Sequence, residues 1–358
     1  MNKNKLFFLP LAILLCMPTH AQTLMQRYKS LLVDPNLYAC YRTTEKIKVD
    51  GQLNEASWKK AEPTVEFSDI SGAGFAKPKY RTTAKMLWDD KYLYIAATLE
   101  EPDIVAKLTN RDDIVYHDND FEVFLDPNGD GIEYFEVETN AMGTIFDLFL
   151  DRAYRSNGNF LTQWNCPGMQ IGIYCNGTLN NSNDKDKYWN VEMAIPFDAL
   201  KINFDDAIKQ SRCWRVDFSR VEWLKKKGPE ENWVWSPTGK IDMHMPERWG
   251  YVHFINAPVG SEKTTVSYPY NKEMYNLLWV IFYEQQSYYK SHNKYISTIQ
   301  ELPEIGNINE SDNSSSALKD KYKIQLEATT NSFEVTVTDT DNKVSYHLNN
   351  EGLFTILK

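Results

Sequence analysis

Beyond its first residues this 358-residue chain has no apolar run long enough to cross a bilayer, no C-x-x-C pair and no surplus of basic residues. Each absence removes a class of function. Without a second apolar run there is no membrane span. The cysteines Cys40, Cys166, Cys175 and Cys213 lack the spacing of a zinc or thioredoxin site, and both disulfides and buried free thiols stay open for them. A net charge of -10 argues against nucleic acid or an acidic surface as partner, because phosphate binding needs clustered Lys and Arg. Neutral ligands remain open. Also missing are a nucleophile elbow, a zincin helix, a Gly-rich phosphate loop and any Ser-His-Asp ordering. A glycoside hydrolase needs only two carboxylates across a cleft, which a chain with 49 acidic residues supplies by chance, so that reading stays a remote alternative.

What is present begins with an export signal. Lys3 and Lys5 precede an apolar run from Leu6 to Met17, and Ala21 offers a small residue for cleavage before Gln22. Residues 1–21 therefore read as a signal peptide, and the mature chain as periplasmic, secreted or cell-surface. A lipid anchor at Cys16 is less favoured, because Leu15 stands where a small residue is preferred.

After an N-terminal segment, residues 22–45, the pattern over residues 46–256 is dominated by strands. "KYLYIAATLE", "FEVFLD", "YFEVET", "YWNVEMAIP" and "CWRVDFSRVEW" carry β-branched and aromatic residues, and turn signals such as "DPNGDG" and "NAMG" separate them. With hardly a long helical period between them, the expected fold is all-β, an antiparallel two-sheet β-sandwich. Residues 257–358 differ. Apolar residues recur at helical spacing from Lys272 to about Ile299, then a polar stretch leads to short strands, so a long helix and a small β-meander are expected, with Trp279, Phe282, Tyr288 and Tyr289 in the core between them.

One segment resists this reading: "NWVWSPTGKIDMHMPERWG", Asn232 to Gly250, with three tryptophans in an irregular stretch. Trp on such a loop is either buried or a flat apolar face for a ligand.

"KVDGQLNEASWKKA" (Lys48 to Ala61), "LWDDKYLYIAATLEEPDI", "HDNDFEVFLDPNGD", "YFEVETNAMGTIFDLFL", "GTLNNSNDKDKYWNVEMAIPFDAL" and "WSP…HMPERWG" occur in order over roughly residues 45–255. Together they resemble the family 9 carbohydrate-binding modules, and in particular the secreted family-9-like proteins of Bacteroidetes. The resemblance implies a β-sandwich that holds mono-, oligo- or polysaccharide without cleaving it, as an accessory to glycan capture or breakdown. It also implies an aromatic clamp, here Trp235 and Tyr116, with Glu122 on the sugar edge. Glu136 and Glu138 stand where sugar-binding relatives offer arginine and asparagine. Three clustered carboxylates would repel one another unless Arg220, Arg111 or a cation intervenes. A structural or protein-interaction module that has lost the sugar site is the alternative.

Trp164, before a Pro-Gly turn, is a further sugar-platform candidate, whereas Trp249 is expected to be buried. Asp126, Asn128 and Asp130 have the spacing of a calcium-loop start, but Val137 occupies the twelfth position, so a hairpin turn is favoured over calcium. His244 and Glu247 have a weak H-x-x-E metal spacing. His244 between Met243 and Met245 is the only cluster suggesting haem, on analogy with haem-binding sandwiches.

Overall fold

The computed structural model describes residues 22–201, 212–225, 228–305 and 321–357. The expected signal peptide, Cys16 and the polar stretch at residues 306–320 lie outside the described residues. Thirteen strands share one hydrogen-bonded sheet: β1 (Leu37–Arg42), β2 (Ser68–Asp69), β3 (Thr82–Trp88), β4 (Tyr92–Glu100), β5 (Asp120–Asp126), β6 (Tyr134–Asn140), β7 (Ile145–Leu150), β8 (Phe160–Leu161), β9 (Gln170–Asn176), β10 (Tyr188–Pro196), β11 (Cys213–Glu222), β12 (Glu231–Val234) and β13 (Gly250–Pro258). A second sheet holds β14 (Tyr322–Ala328), β15 (Phe333–Asp339), β16 (Ser345–Asn349) and β17 (Phe354–Leu357) in sequential antiparallel order.

The large sheet runs β8-β7-β6-β5-β11-β13-β1-β3-β4-β10-β9, and its two halves pack against each other. Phe121, Val123 and Leu125 of β5 and Phe218 of β11 thereby share one core with Ile95 and Leu99 of β4 and Val191 and Met193 of β10. Burying apolar side chains between two β layers is the driving force of such an arrangement. The expectation of purely antiparallel sheets is corrected, because β1 pairs parallel with both β13 and β3. β1 also lies ahead of residue 46, in the segment expected to precede the sandwich. Local hairpins are antiparallel by geometry, whereas Leu37 pairs with Tyr251 far along the chain and no turn announces it.

The C-terminal helix is α3 (Lys272–His292), after the short α1 (Leu24–Arg27) and α2 (Ala56–Lys60). Asn271 caps α3 by accepting from the backbone N–H of Glu273 and Met274. It ends before Ile299 because Asn293 turns left-handed, φ 53°. Trp279 and Phe282 are buried with Leu24, Met25, Val335, Val337 and Leu348 in a second core, and Tyr289 packs at its margin. Tyr288 instead stacks on His292, with ring centroids 3.8 Å apart.

Candidate functional site

The residues "DFEVFLD" and "YFEVETN" alternate, and alternation sends their apolar and acidic sets to opposite faces of the strands. Phe121, Val123, Phe135 and Val137 enter the sandwich core. Asp120, Glu122, Glu136 and Glu138 therefore turn to the outer face of the layer. Register places Glu122 directly opposite Glu138, and Glu136 opposite Phe124. Like charges in directly opposed positions destabilise a sheet, so the pairing of Glu122 with Glu138 calls for a local reason.

Over this face lies a cavity of about 580 Å³. Glu122, Glu136 and Glu138 form its floor with Phe124, Phe146 and Leu148, and the walls come from segments around Tyr116, Tyr154 to Thr162, and Asn232 to His244. Three aromatic rings are exposed at this cleft: Tyr116 (37%), Tyr154 (43%) and Phe160 (53%). Tyr154 meets the edge of Phe160 at 6.1 Å and of His244 at 4.3 Å. The Tyr116 backbone N–H donates to Glu138 at 3.2 Å, which ties that wall to the floor. Arg155, next to Tyr154, donates to the buried Glu247, which also accepts from Tyr283 of α3, so the C-terminal unit braces the same wall.

Against known proteins, the model of the family described as "Carbohydrate family 9 binding domain-like" matches residues 49–257. The chain belongs to this family. Over 99 residues the chain is 33% identical to the endo-1,4-beta-xylanase A of Thermoanaerobacterium saccharolyticum and 29% identical to the exoglucanase XynX of Acetivibrio thermocellus. Those segments are 28% of this chain and 8% of each relative, so the chain matches a small part of either enzyme. A family 9 module from Caldicellulosiruptor kristjanssonii, solved with cellotriose, aligns over 64% of this chain and all of its own at 15% identity, with a TM-score of 0.42.

The clamp implied by family 9 resemblance is not formed. Tyr116 and Glu122 line the cleft, but Trp235 is 1% exposed and lies in the sandwich core against Phe218 and Tyr38. The cause is local: β12 pairs with β11, the Trp235 backbone N–H extends that pairing by donating to the Phe218 carbonyl at 3.0 Å, and alternation puts Trp233 and Trp235 on the core face with Val234 on the other. Arg220 is fully buried away from the cleft floor, bonded to Glu101 at 2.9 Å and Glu222 at 2.7 Å. Trp164 packs on Phe135 at 4.8 Å, on the core side of β6. Trp249 is buried as expected, under Phe124 and Tyr134, with its indole N–H donating to the Met243 carbonyl at 2.8 Å. Tyr154, Phe160 and Ile241 were not singled out from the sequence, although aromatic residues on the Gly- and Asn-containing loop "AYRSNGNF" were the available signal.

The other candidates of the family 9 domain resolve by contact. At the β5–β6 turn, Asp126 accepts from the backbone N–H of Gly129 and Gly131, while Asn128 donates to Asp130. These side chains close a hairpin turn. Met243 and Met245 pack into different cores, His244 Nδ1 meets the Tyr134 hydroxyl at 3.0 Å, and Glu247 is engaged by Arg155 and Tyr283. Among the described residues Cys40, Cys166 and Cys175 are free thiols, and the Cys213 Sγ lies 3.5 Å from His253 Nε2.

The floor is electrostatically unbalanced. Burial pushes Glu122 up to about 7, with Glu230 adding to the effect. Glu136 and Glu138 are held well above the carboxylate range by burial and then by Glu122, and Asp120 by the same two causes. Arg111 is turned to Asp147. His244 stands 3.9 Å from Glu136, but burial and then Arg155 push it down to about 4, so it is neutral near pH 7. The folded chain therefore holds carboxyl protons that the unfolded chain releases near a pKa of about 4. Between about pH 4 and pH 7 the folded state binds more protons, and stability falls as pH rises. His244 acts oppositely between about pH 4 and 6.5, but it is one group against several. Thermal melts in chelator-containing buffer should give a higher Tm near pH 5 than near pH 8; a Tm that climbs over this range would contradict the assignment.

Proposed function

We propose that the protein binds a carbohydrate in this cleft without cleaving it, as an exported accessory to glycan capture or degradation. The observation that carries the reading is the cleft itself, in which exposed aromatic rings rise over a floor of hydrogen-bond acceptors within a family 9 domain. A pyranose ring has an apolar C–H face suited to Tyr116, Tyr154 or Phe160, and hydroxyls that can donate to the carboxyl oxygens of the floor. The segment similar to part of a xylanase and an exoglucanase supports glycan breakdown as the setting. Binding is favoured over hydrolysis because Glu122, Glu136 and Glu138 share one floor on adjacent strands, whereas glycosidases place two carboxylates on either side of the scissile bond.

A glycan array or affinity-gel screen of the mature chain tests this reading, and retention by one or more neutral glycans is expected. Tyr154→Ala should weaken that retention roughly tenfold, the loss of about 1 kcal/mol of ring stacking plus the covered area, with Tm nearly unchanged. The burial of Trp235 favours a second reading, a sandwich that has lost its sugar site and serves as an interaction module. That reading predicts no retained glycan.

A further inference from the structure

We infer that Asp120, Glu122 and Glu138 hold a divalent cation of the calcium class at the floor of the cleft, with its open coordination positions facing the bound glycan. The inference rests on the carbohydrate reading for the ligand above the ion, but not for the ion itself.

One carboxylate oxygen from each of the three residues lies within 4.8 Å of the other two. Oxygens around one calcium ion, each at about 2.3–2.6 Å from it, stand at most about 5.2 Å apart, so a single ion can touch all three. An all-oxygen, all-carboxylate set also selects a hard cation over zinc or copper. Glu122 and Glu138 reach the cleft, which leaves room for sugar hydroxyls or water to complete the six to eight ligands calcium takes.

A second observation is independent of the clustering. Asp120 is fully buried; its Oδ1 accepts from the Val221 backbone N–H at 3.0 Å, while its Oδ2 has no hydrogen-bond partner. A buried carboxylate oxygen left unpaired costs more than a typical hydrogen bond contributes, so such atoms are ordinarily satisfied. Nor does a basic residue neutralise the cluster. Among the described residues the one ion pair to Asp120, Glu122, Glu136 or Glu138 is that of His244, which is neutral near pH 7. A divalent ion would offset the opposition of Glu122 and Glu138 and satisfy Asp120 together.

The test is calorimetric titration of the chelator-treated full chain with CaCl2 near pH 7.5, alongside Asp120→Asn, Glu138→Gln and Asp130→Asn. The expected result is one calcium site, weakened at least tenfold in D120N and E138Q and unchanged in D130N, whose side chain belongs to the β5–β6 turn. Calcium should also raise the Tm of the wild type near pH 8 more than near pH 5, where protons compete for the same oxygens. That comparison needs no variant to fold. Absence of both calcium heat and a Tm shift would overturn the inference, as would loss of binding in D130N but not in D120N. Affinity gels run with chelator and with CaCl2 separate the two claims. Glycan retention by a chain that binds no cation sinks the ion and leaves the carbohydrate reading standing; cation binding without retention of any glycan does the reverse.

Discussion

Replacing Trp235 by Ala is expected to destabilise the protein by about 3–5 kcal/mol, the range for removing a large aromatic side chain from a core. Its ring is enclosed by Phe218 at 5.7 Å and Tyr38 at 6.4 Å, and Gly250 passes so near that a Cβ there would lie 2.5 Å from the ring. The Trp235 carbonyl and the Ser236 hydroxyl also anchor Asn36, just ahead of β1, so the cavity left by the ring would open beside the parallel strand that joins the two layers. Chemical denaturation of wild type and W235A measures this directly. A variant with unchanged stability and lost glycan binding would return Trp235 to the role of an exposed sugar platform.

The second large effect is expected from Arg220→Ala. Its guanidinium bonds Glu101, Glu222, the Thr82 hydroxyl and the Glu100 carbonyl, and lies 5.1 Å from the Trp233 ring. Removing one partner of a buried charge network costs about 3–5 kcal/mol, because the remaining charges stay buried without compensation. For a domain of this size that corresponds to a fall of roughly 6–20 °C in Tm. Burial and Glu222 already push Glu101 up to about 7 against the pull of Arg220, so in R220A Glu101 would take up a proton more readily. The deficit should shrink as pH is lowered from about 8 to 5. A deficit independent of pH would mean that lost packing, and not charge, dominates.

Much of the cleft floor was legible in the sequence and most of its walls were not. The alternation in "FEVFLD" and "YFEVET" is sufficient to put Glu122, Glu136 and Glu138 on one face, since strand geometry leaves no other arrangement once the apolar set is buried. Tryptophan carries no such signal. Trp233, Trp235 and Trp249 sit near Pro and Gly, and local context cannot say whether a ring on such a segment points out or in; β12 and its pairing with β11 decided it. Arg220 shares its face with Val216 and Phe218, so alternation turns it inward; what the sequence hides is the partner that compensates its charge, Glu101, distant in sequence. The parallel pairing of β1 was hidden for the same reason. Only long-range register creates it.

The cleft under Tyr116 and Tyr154 is the proposed place of carbohydrate binding. Affinity electrophoresis with a retained glycan, comparing wild type, the Tyr116→Ala/Tyr154→Ala double variant and Trp164→Ala, tests it most directly. The double variant is expected to run as in a gel without glycan while keeping its fold. Trp164→Ala, whose ring packs against Phe135 outside the cleft, should be retarded like the wild type. Undiminished retardation of the double variant, or its selective loss in Trp164→Ala, would contradict the account and move the binding surface away from this cleft.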